Sequence, residues 1–221
     1  MNQKTIETAF EELAALAISP DAGTQLSRVS LSAGKHEKVL HHTFAHLLSN
    51  KLKGTETLDC ETAVPGMGAK AVDITIADDK GVQVAIEVKA PMTNHDGVRS
   101  KTRKPEHLLN DCSKLRQMQQ DGGSEGFELV GLIETYGLTS SGQVEPAAGR
   151  SIRTYETEVS KRYRIKWPTR YDYKPVHGRA EVERVLMSEG MRQVGGWKRC
   201  PLPSLRKNAS SYLDLALFRL T

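Results

Sequence analysis

The 221-residue sequence has few cysteines and no long apolar run. No stretch of about 18 apolar residues occurs, and residues 1–17 are acidic and amphipathic. We therefore expect neither a transmembrane helix nor a signal peptide. The three cysteines, Cys60, Cys112 and Cys200, lie far apart and show no CxxC spacing. Their scarcity predicts a reduced, cytoplasmic protein without a zinc ribbon. Internal repeats and low-complexity tracts are also absent from the sequence.

Charge is unevenly distributed along a chain of otherwise ordinary composition. Hydrophobic residues make up 38% and charged residues 26%, which is typical of a globular protein with one core. Residues 1–98 hold 9 Lys and Arg against 13 Asp and Glu, whereas residues 99–221 hold 22 against 14. An acidic half followed by a basic half favours a polyanionic partner. An ordinary solvated basic surface would give the same asymmetry, so this alternative stays open.

Hydrophobic periodicity predicts an α/β protein with a mixed central sheet flanked by helices. Helices are predicted at residues 4–18, 34–52, 106–119 and 180–189. Strands are predicted at residues 58–64, 71–78, 82–89, 127–133 and 212–220, with loops at 91–105 and 137–150. The strand–helix–strand order around residues 106–119 permits a parallel crossover. We divide the chain into an N-terminal helix and linker, a core and a basic extension packed on the same sheet, as one domain overall. Their ranges are 1–33, 34–136 and 137–221.

The segment AVDITIADDKGVQVAIEVK, residues 71–89, is predicted to be a β-hairpin whose polar residues share one face. In each strand, apolar residues alternate with the polar ones, so Asp73 and Glu87 point away from the apolar side. With a three-residue loop ending in a left-handed Gly81, Asp78 pairs with Val82 and Asp73 lies opposite Glu87. Lys89 then joins the two carboxylates. This arrangement predicts a site for a hard divalent cation.

The order of these elements resembles the PD-(D/E)XK nuclease superfamily, also called restriction-endonuclease-like, over roughly residues 34–133. The resemblance rests on Glu37 in GKHEKVLHHTF, Asp73 in AVDITI, and Glu87 and Lys89 in IEVKAP. Val72 stands where the family name has its proline, and the QxxxY signature of RecB-type members is not visible. The resemblance implies a restriction-endonuclease-like core with the order α-β-β-β-α-β.

The resemblance also implies a role for each site residue. Asp73, Glu87 and the Val88 carbonyl would bind Mg²⁺, for which Mn²⁺ would substitute. Lys89 would orient or deprotonate the attacking water and stabilise charge on the phosphorane. Glu37 would bind a second metal ion or position a metal-bound water. A solvated Asp/Glu/Lys face on an ordinary hairpin is the alternative interpretation.

Three histidines share the predicted helix with Glu37. Glu37 and His41, and likewise His42 and His46, are four residues apart, a spacing that occurs in zinc sites. The two pairs lie about 100° apart around the helix, and no HExxH pattern or cysteine accompanies them. Surface or half-buried histidines are therefore expected, and their contribution to the site is left open.

Basic residues in three segments are predicted to contact nucleic acid through its phosphates. They are Arg99, Lys101, Arg103, Lys104, Lys114, Lys161, Arg162, Arg164, Lys166 and Arg170. Lys114 lies in the segment DCSKL, at a helix position where the family often places polar and basic residues near the substrate. Ordinary basic loops are the alternative for the other two segments.

These patterns together predict a Mg²⁺-dependent DNA endonuclease of restriction, defence or repair, cytoplasmic and nucleoid-associated when bound to DNA. One alternative is a catalytically silent nucleic-acid-binding or assembly module of the same fold. Another is a transposition or repair nuclease that is active only with a partner protein. A homodimer is a further expectation, because cutting both strands usually requires two active sites. The sequence does not distinguish DNA from RNA as the substrate.

Overall fold

A computed structural model describes residues 1–18, 36–90, 106–138, 144–146, 178–206 and 209–221. Its helices are α1 (Gln3–Ile18), α2 (His36–Ser49), α3 (Glu106–Gly122) and α4 (Gly178–Ser188). Its strands are β1 (Thr57–Ala63), β2 (Ala71–Asp78), β3 (Gly81–Lys89), β4 (Glu125–Leu138), β5 (Val144–Pro146), β6 (Met191–Arg206) and β7 (Ala209–Leu220). The predicted α/β class, with a mixed sheet flanked by helices, is confirmed.

In the described residues, the seven strands form one sheet in the order β1-β2-β3-β4-β7-β6, and β5 pairs with β4 outside this path. Strands β3 and β4 are parallel, and every other pair is antiparallel. The parallel crossover through α3, which the element order permits, is therefore present. Between residues 36 and 138, the described elements follow the order α2-β1-β2-β3-α3-β4.

Apolar side chains cover both faces of the sheet, because alternate residues of a strand point to opposite sides. Helices α1 and α2 pack on one face, where Phe10, Phe44 and Ile86 are fully buried or nearly so. Helices α3 and α4 pack on the other face, together with Leu115 and Phe218. The sheet is thus the middle layer of three. Among the described residues, no helix has the length and apolar character needed to span a membrane.

The turn between β2 and β3 differs from the predicted three-residue loop. Asp78 pairs with Gly81 instead of Val82, and the register shifts by one residue between Ile76 and Ala77. This irregularity restores the expected pairing further along the hairpin, where Ile74 pairs with Ile86. Gly81 has a φ of 111°, a region that glycine enters without strain from a Cβ atom. The shorter turn and the register shift together therefore give the same strand register as the predicted three-residue loop.

The predicted element boundaries were wrong mainly in the C-terminal half. Strand β4 continues into the predicted loop at 137–150, which also contains β5. The sequence analysis missed β6 altogether, although this strand pairs with β7 at the edge of the sheet. Helix α2 ends at Ser49, earlier than the predicted Leu52. Pairing with neighbouring strands stabilises β4, β5 and β6 in segments whose own composition does not indicate a strand.

Candidate functional site

Strands β2 and β3 bring Asp73 and Glu87 together, as the hairpin pattern predicts. The pairing of Ile74 with Ile86 places Asp73 and Glu87 one step further along the same two strands. The Asp73 carboxylate accepts a hydrogen bond from the backbone N–H of Val88, with 2.7 Å between Oδ2 and N. This bond turns the Asp73 side chain toward the end of β3 that carries Glu87 and Lys89.

Glu87 is buried and lies against the side chain of Lys114 from helix α3. The Lys114 ammonium lies 2.6 Å from Glu87 Oε1 and 3.0 Å from Asp111 Oδ1. Burial, followed by the charges of Asp111 and Asp73, raises the pKa of Glu87 to about 9, although Lys114 opposes this shift. The Glu87 carboxyl group therefore holds a proton at neutral pH as long as no other cation is bound.

Lys89 lies between two acidic residues from different helices. Its Nζ is 3.4 Å from Asp111 Oδ2 and 3.6 Å from Glu37 Oε2. Burial by itself would lower the pKa of the ammonium, but the charges of Asp111 and Glu37 outweigh burial and raise the pKa above its usual value. Lys89 is consequently a cation at neutral pH. This charge state suits orienting a water or a phosphate, whereas the predicted alternative role of proton acceptor requires the neutral amine.

Helix α2 contributes Glu37 and His41, which are one turn apart. The Glu37 carboxylate accepts a hydrogen bond from the backbone N–H of Ala90, with 3.2 Å between Oε2 and N. The ring of His41 is buried, and its Nε2 lies 3.0 Å from the backbone carbonyl oxygen of Asp73. His42 and His46 are exposed. Of the three histidines, His41 is thus the one that supports the backbone of a predicted site residue.

Asp111 was named in the sequence analysis only as part of its segment, yet it joins the two lysines. One of its oxygens faces Lys89 and the other faces Lys114, and the residue is almost fully buried. Asp111 lies three residues before Lys114, so both point to the same side of helix α3. This spacing is the sequence signal that could have assigned Asp111 to the site.

Glu128 is the site residue that sequence reasoning missed. It lies on β4, pairs in register with Glu87, and is completely buried. Neither of its carboxylate oxygens has a hydrogen-bond partner. Burial, then the charges of Asp111 and Glu87, raises its pKa well above the usual value. A lone acidic residue inside the apolar run FELVGLI was the available signal, because a buried acid without a partner is costly.

The five acidic side chains outnumber the two ammonium groups among them. The acids are Glu37, Asp73, Glu87, Asp111 and Glu128, and the cations are Lys89 and Lys114. Their oxygen atoms are the ligand type that Mg²⁺ prefers. Because the acidic groups outnumber the ammonium groups and the Glu128 oxygens have no hydrogen-bond partner, the cluster could accept an additional cation. In the described part of the chain, no three His, Cys, Asp or Glu residues form a ready set of metal ligands. The ammonium groups of Lys89 and Lys114 lie between the carboxyl groups.

The predicted nucleic-acid contacts fall mostly outside the described residues. Outside them are Arg99, Lys101, Arg103, Lys104, Lys161, Arg162, Arg164, Lys166 and Arg170. Lys114 is described, and its ammonium is turned toward the carboxyl groups, with the side chain only 13% exposed. Its contact with phosphate stays a prediction that requires the ammonium to move.

A second buried acid, Asp214 on β7, is held by arginine. Arg199 donates two hydrogen bonds, from Nε to Oδ1 at 2.8 Å and from an Nη atom to Oδ2 at 2.7 Å. Arg179 Nε lies 3.6 Å from Oδ2, and the Arg199 guanidinium lies 4.6 Å from the centre of the Tyr212 ring. This bidentate Arg199–Asp214 pair joins β6 to β7 through two charge-assisted hydrogen bonds.

No protein-family model matches the chain, and the comparisons with curated proteins and with solved structures give no significant match.

Proposed function

We propose that this protein is a divalent-metal-dependent nuclease that hydrolyses phosphodiester bonds of DNA, with a restriction-endonuclease-like core. The observation that carries the proposal is the meeting of Asp73, Glu87 and Lys89 at the end of the β2–β3 hairpin. The order α2-β1-β2-β3-α3-β4 supports it, because the same order is implied by the resemblance. Restriction, defence and repair are the settings in which such an activity would serve.

Asp73 and Glu87 are the residues that would hold Mg²⁺, together with the Val88 carbonyl, and Glu37 would bind a second ion or a metal-bound water. The ion, when bound, would supply Lewis acidity and lower the pKa of a water molecule. Lys89 would hold its positive charge beside the reacting phosphate, since Asp111 and Glu37 keep it protonated. A fixed cation next to developing negative charge stabilises the transition state.

The direct test is cleavage of plasmid DNA, single-stranded DNA and RNA in Mg²⁺, in Mn²⁺ and in EDTA. We expect cleavage in either metal, none in EDTA, and a decrease of at least about 100-fold in Lys89→Ala. The matched control is Lys80→Ala, since Lys80 is exposed in the β2–β3 turn. Cleavage in EDTA, or an undiminished rate in Lys89→Ala, would contradict the proposal.

A nucleic-acid-binding module without catalysis is the second candidate function. It is favoured by the observation that the site is already stabilised by its own lysines, which lie against Glu87, Asp111 and Glu37. Salt-dependent DNA binding without cleavage in Mg²⁺ or Mn²⁺ would support this alternative. Cleavage that appears only after adding cell extract, and still depends on Lys89, would indicate a nuclease that needs a partner protein.

A further inference from the structure

The ammonium of Lys114 is enclosed by three oxygen atoms from three different elements. It lies 2.6 Å from Glu87 Oε1 on β3, 3.0 Å from Asp111 Oδ1 on α3, and 3.1 Å from the backbone carbonyl oxygen of Ala71 on β2. The ammonium donates a hydrogen bond to the Ala71 carbonyl, and the two carboxyl oxygens lie within ion-pair distance of it. The chain therefore already holds one cation of its own at this position.

One of the oxygen atoms around Lys114 belongs to Glu87, whose carboxyl group binds the metal ion in the proposed function. Glu87 is a proposed ligand of the divalent ion, and one of its oxygens contacts the Lys114 ammonium. Two positive charges within a few ångströms of each other repel strongly in a buried site. A divalent ion on Glu87 and the Lys114 ammonium in its present place are therefore in competition.

An independent observation indicates that the ammonium of Lys114 does not satisfy all of the neighbouring carboxyl groups. Glu128 is the register neighbour of Glu87 and is completely buried, and neither of its oxygens has a hydrogen-bond partner. Asp111 and Glu87 are the two charged groups that act on it most strongly. The buried acidic cluster thus contains carboxyl oxygens that the single ammonium of Lys114 leaves unpartnered.

We propose that Lys114 is a tethered cation that pairs with Glu87 and Asp111 in the free protein, and that a divalent ion bound through Glu87 displaces its ammonium. This inference rests on the proposed function, since it takes Glu87 as a metal ligand. It makes Lys114 a positioning residue that holds the acidic side chains together until metal binds. The displaced ammonium becomes accessible to solvent and to a substrate phosphate.

The first test labels the amines of the wild-type protein with acetic anhydride and measures each lysine by mass spectrometry. Lys114 is largely protected in EDTA, and saturating Mg²⁺ increases its labelling rate several-fold. Exposed Lys80 serves as the internal reference and keeps the same rate. Unchanged labelling of Lys114, while calorimetry shows bound Mg²⁺, would overturn the displacement.

The second test measures the affinity for Mg²⁺ of Lys114→Met by titration calorimetry. Removing the competing ammonium tightens binding at least tenfold, whereas Lys114→Arg retains a charge and gains much less. Arg116→Met is the matched control, because Arg116 on the same helix pairs with Glu189 away from the carboxyl groups. If Lys114→Met is unfolded in EDTA, circular dichroism follows its refolding on addition of Mg²⁺.

The outcomes of the second test separate this inference from the proposed function. Equal or weaker Mg²⁺ binding in Lys114→Met overturns the role of Lys114 and leaves the metal-dependent nuclease intact. Failure of Lys114→Met to fold even in Mg²⁺ also contradicts it, since the metal then does not replace the ammonium. Binding of no divalent ion by either protein overturns the metal site itself.

Discussion

Glu87 and Glu128 lie side by side on the parallel strands β3 and β4, and both are buried beneath helix α3. Burial, and then the charges of Asp111 and Glu87, raise the pKa of Glu128, because neighbouring carboxyl groups resist becoming negative together. The proton content of this pair therefore links pH to both folding and metal binding.

Glu128→Gln is expected to stabilise the metal-free protein increasingly as the pH rises. The folded protein keeps a proton on Glu128 above the pH at which the unfolded chain releases it, so wild-type stability decreases with rising pH. Gln removes this loss, which amounts to at most about 1.4 kcal/mol per pH unit. Urea unfolding in EDTA at pH 5, 7 and 9 measures the effect. Asp79→Asn, at an exposed turn, is the control, and a pH-independent difference between Glu128→Gln and wild type would contradict the prediction.

The affinity for Mg²⁺ is expected to increase from pH 6.5 to about pH 9. Burial, then Asp111 and Asp73, raises the pKa of Glu87 to about 9, so a metal ion must displace its proton below that pH. The apparent affinity therefore rises by up to about tenfold per pH unit and levels off once Glu87 is ionised. Titration calorimetry in buffers of different ionisation enthalpy counts the protons released. Binding without proton release at pH 7 would contradict a protonated Glu87.

Gly131→Ala is expected to destabilise the protein by about 1–3 kcal/mol. A Cβ atom at Gly131 on β4 would overlap with Cδ1 of Leu40, which is buried on helix α2. Because Leu40 lies between Glu37 and His41, the substitution also moves the helix that supports the site, and cleavage falls with stability. Urea unfolding measures the cost, and Gly196→Ala, where a Cβ meets no neighbour, is the control. Equal stability of the two variants would contradict the prediction and show that the Leu40 side chain can move away without cost.

Arg199→Met is expected to lower the free energy of unfolding by about 3 kcal/mol, because buried Asp214 loses its bidentate partner. The double variant Arg199→Met/Asp214→Leu removes both charges and recovers most of this loss. Arg184→Met is the control, because its pair with Glu181 is exposed and contributes little. Chemical denaturation of the wild type, of the single variants Arg199→Met and Asp214→Leu, and of the double variant gives the coupling energy. A double variant as unstable as the sum of the single ones would contradict a direct interaction.

The sequence predicted those parts of the site that local alternation determines. Asp73, Glu87 and Lys89 could be placed because period-2 patterning assigns each to a face of its strand. Glu128 could not, because its strand is apolar on both sides and only the pairing with β3 reveals its neighbour. Lys114 was assigned to nucleic acid from its charge and from the helix position that the family resemblance implies. Its contact with Glu87 depends on how α3 packs on the sheet, which local sequence does not encode.

Strand β6 was missed for a related reason. It contains Gly195, Gly196, Pro201 and Pro203, which weaken or interrupt strand propensity. Its pairing with β7 shifts register between Val194 and Lys198 and again between Leu202 and Arg206. These irregularities accommodate residues that a regular ladder would exclude. The long partner strand β7, with its own apolar alternation, supplies the stabilisation that β6 lacks locally.

The parallel pairing of β3 with β4 also has a consequence for protein synthesis. A chain emerging from the ribosome presents Asp73, Glu87 and Lys89 on the antiparallel strands β1, β2 and β3 before β4 is made. Parallel contacts distant in sequence form slowly. The acidic cluster is complete only after α3 has crossed over and β4 has joined the sheet. The proposed metal site would therefore form only in the completed fold and not on the growing chain.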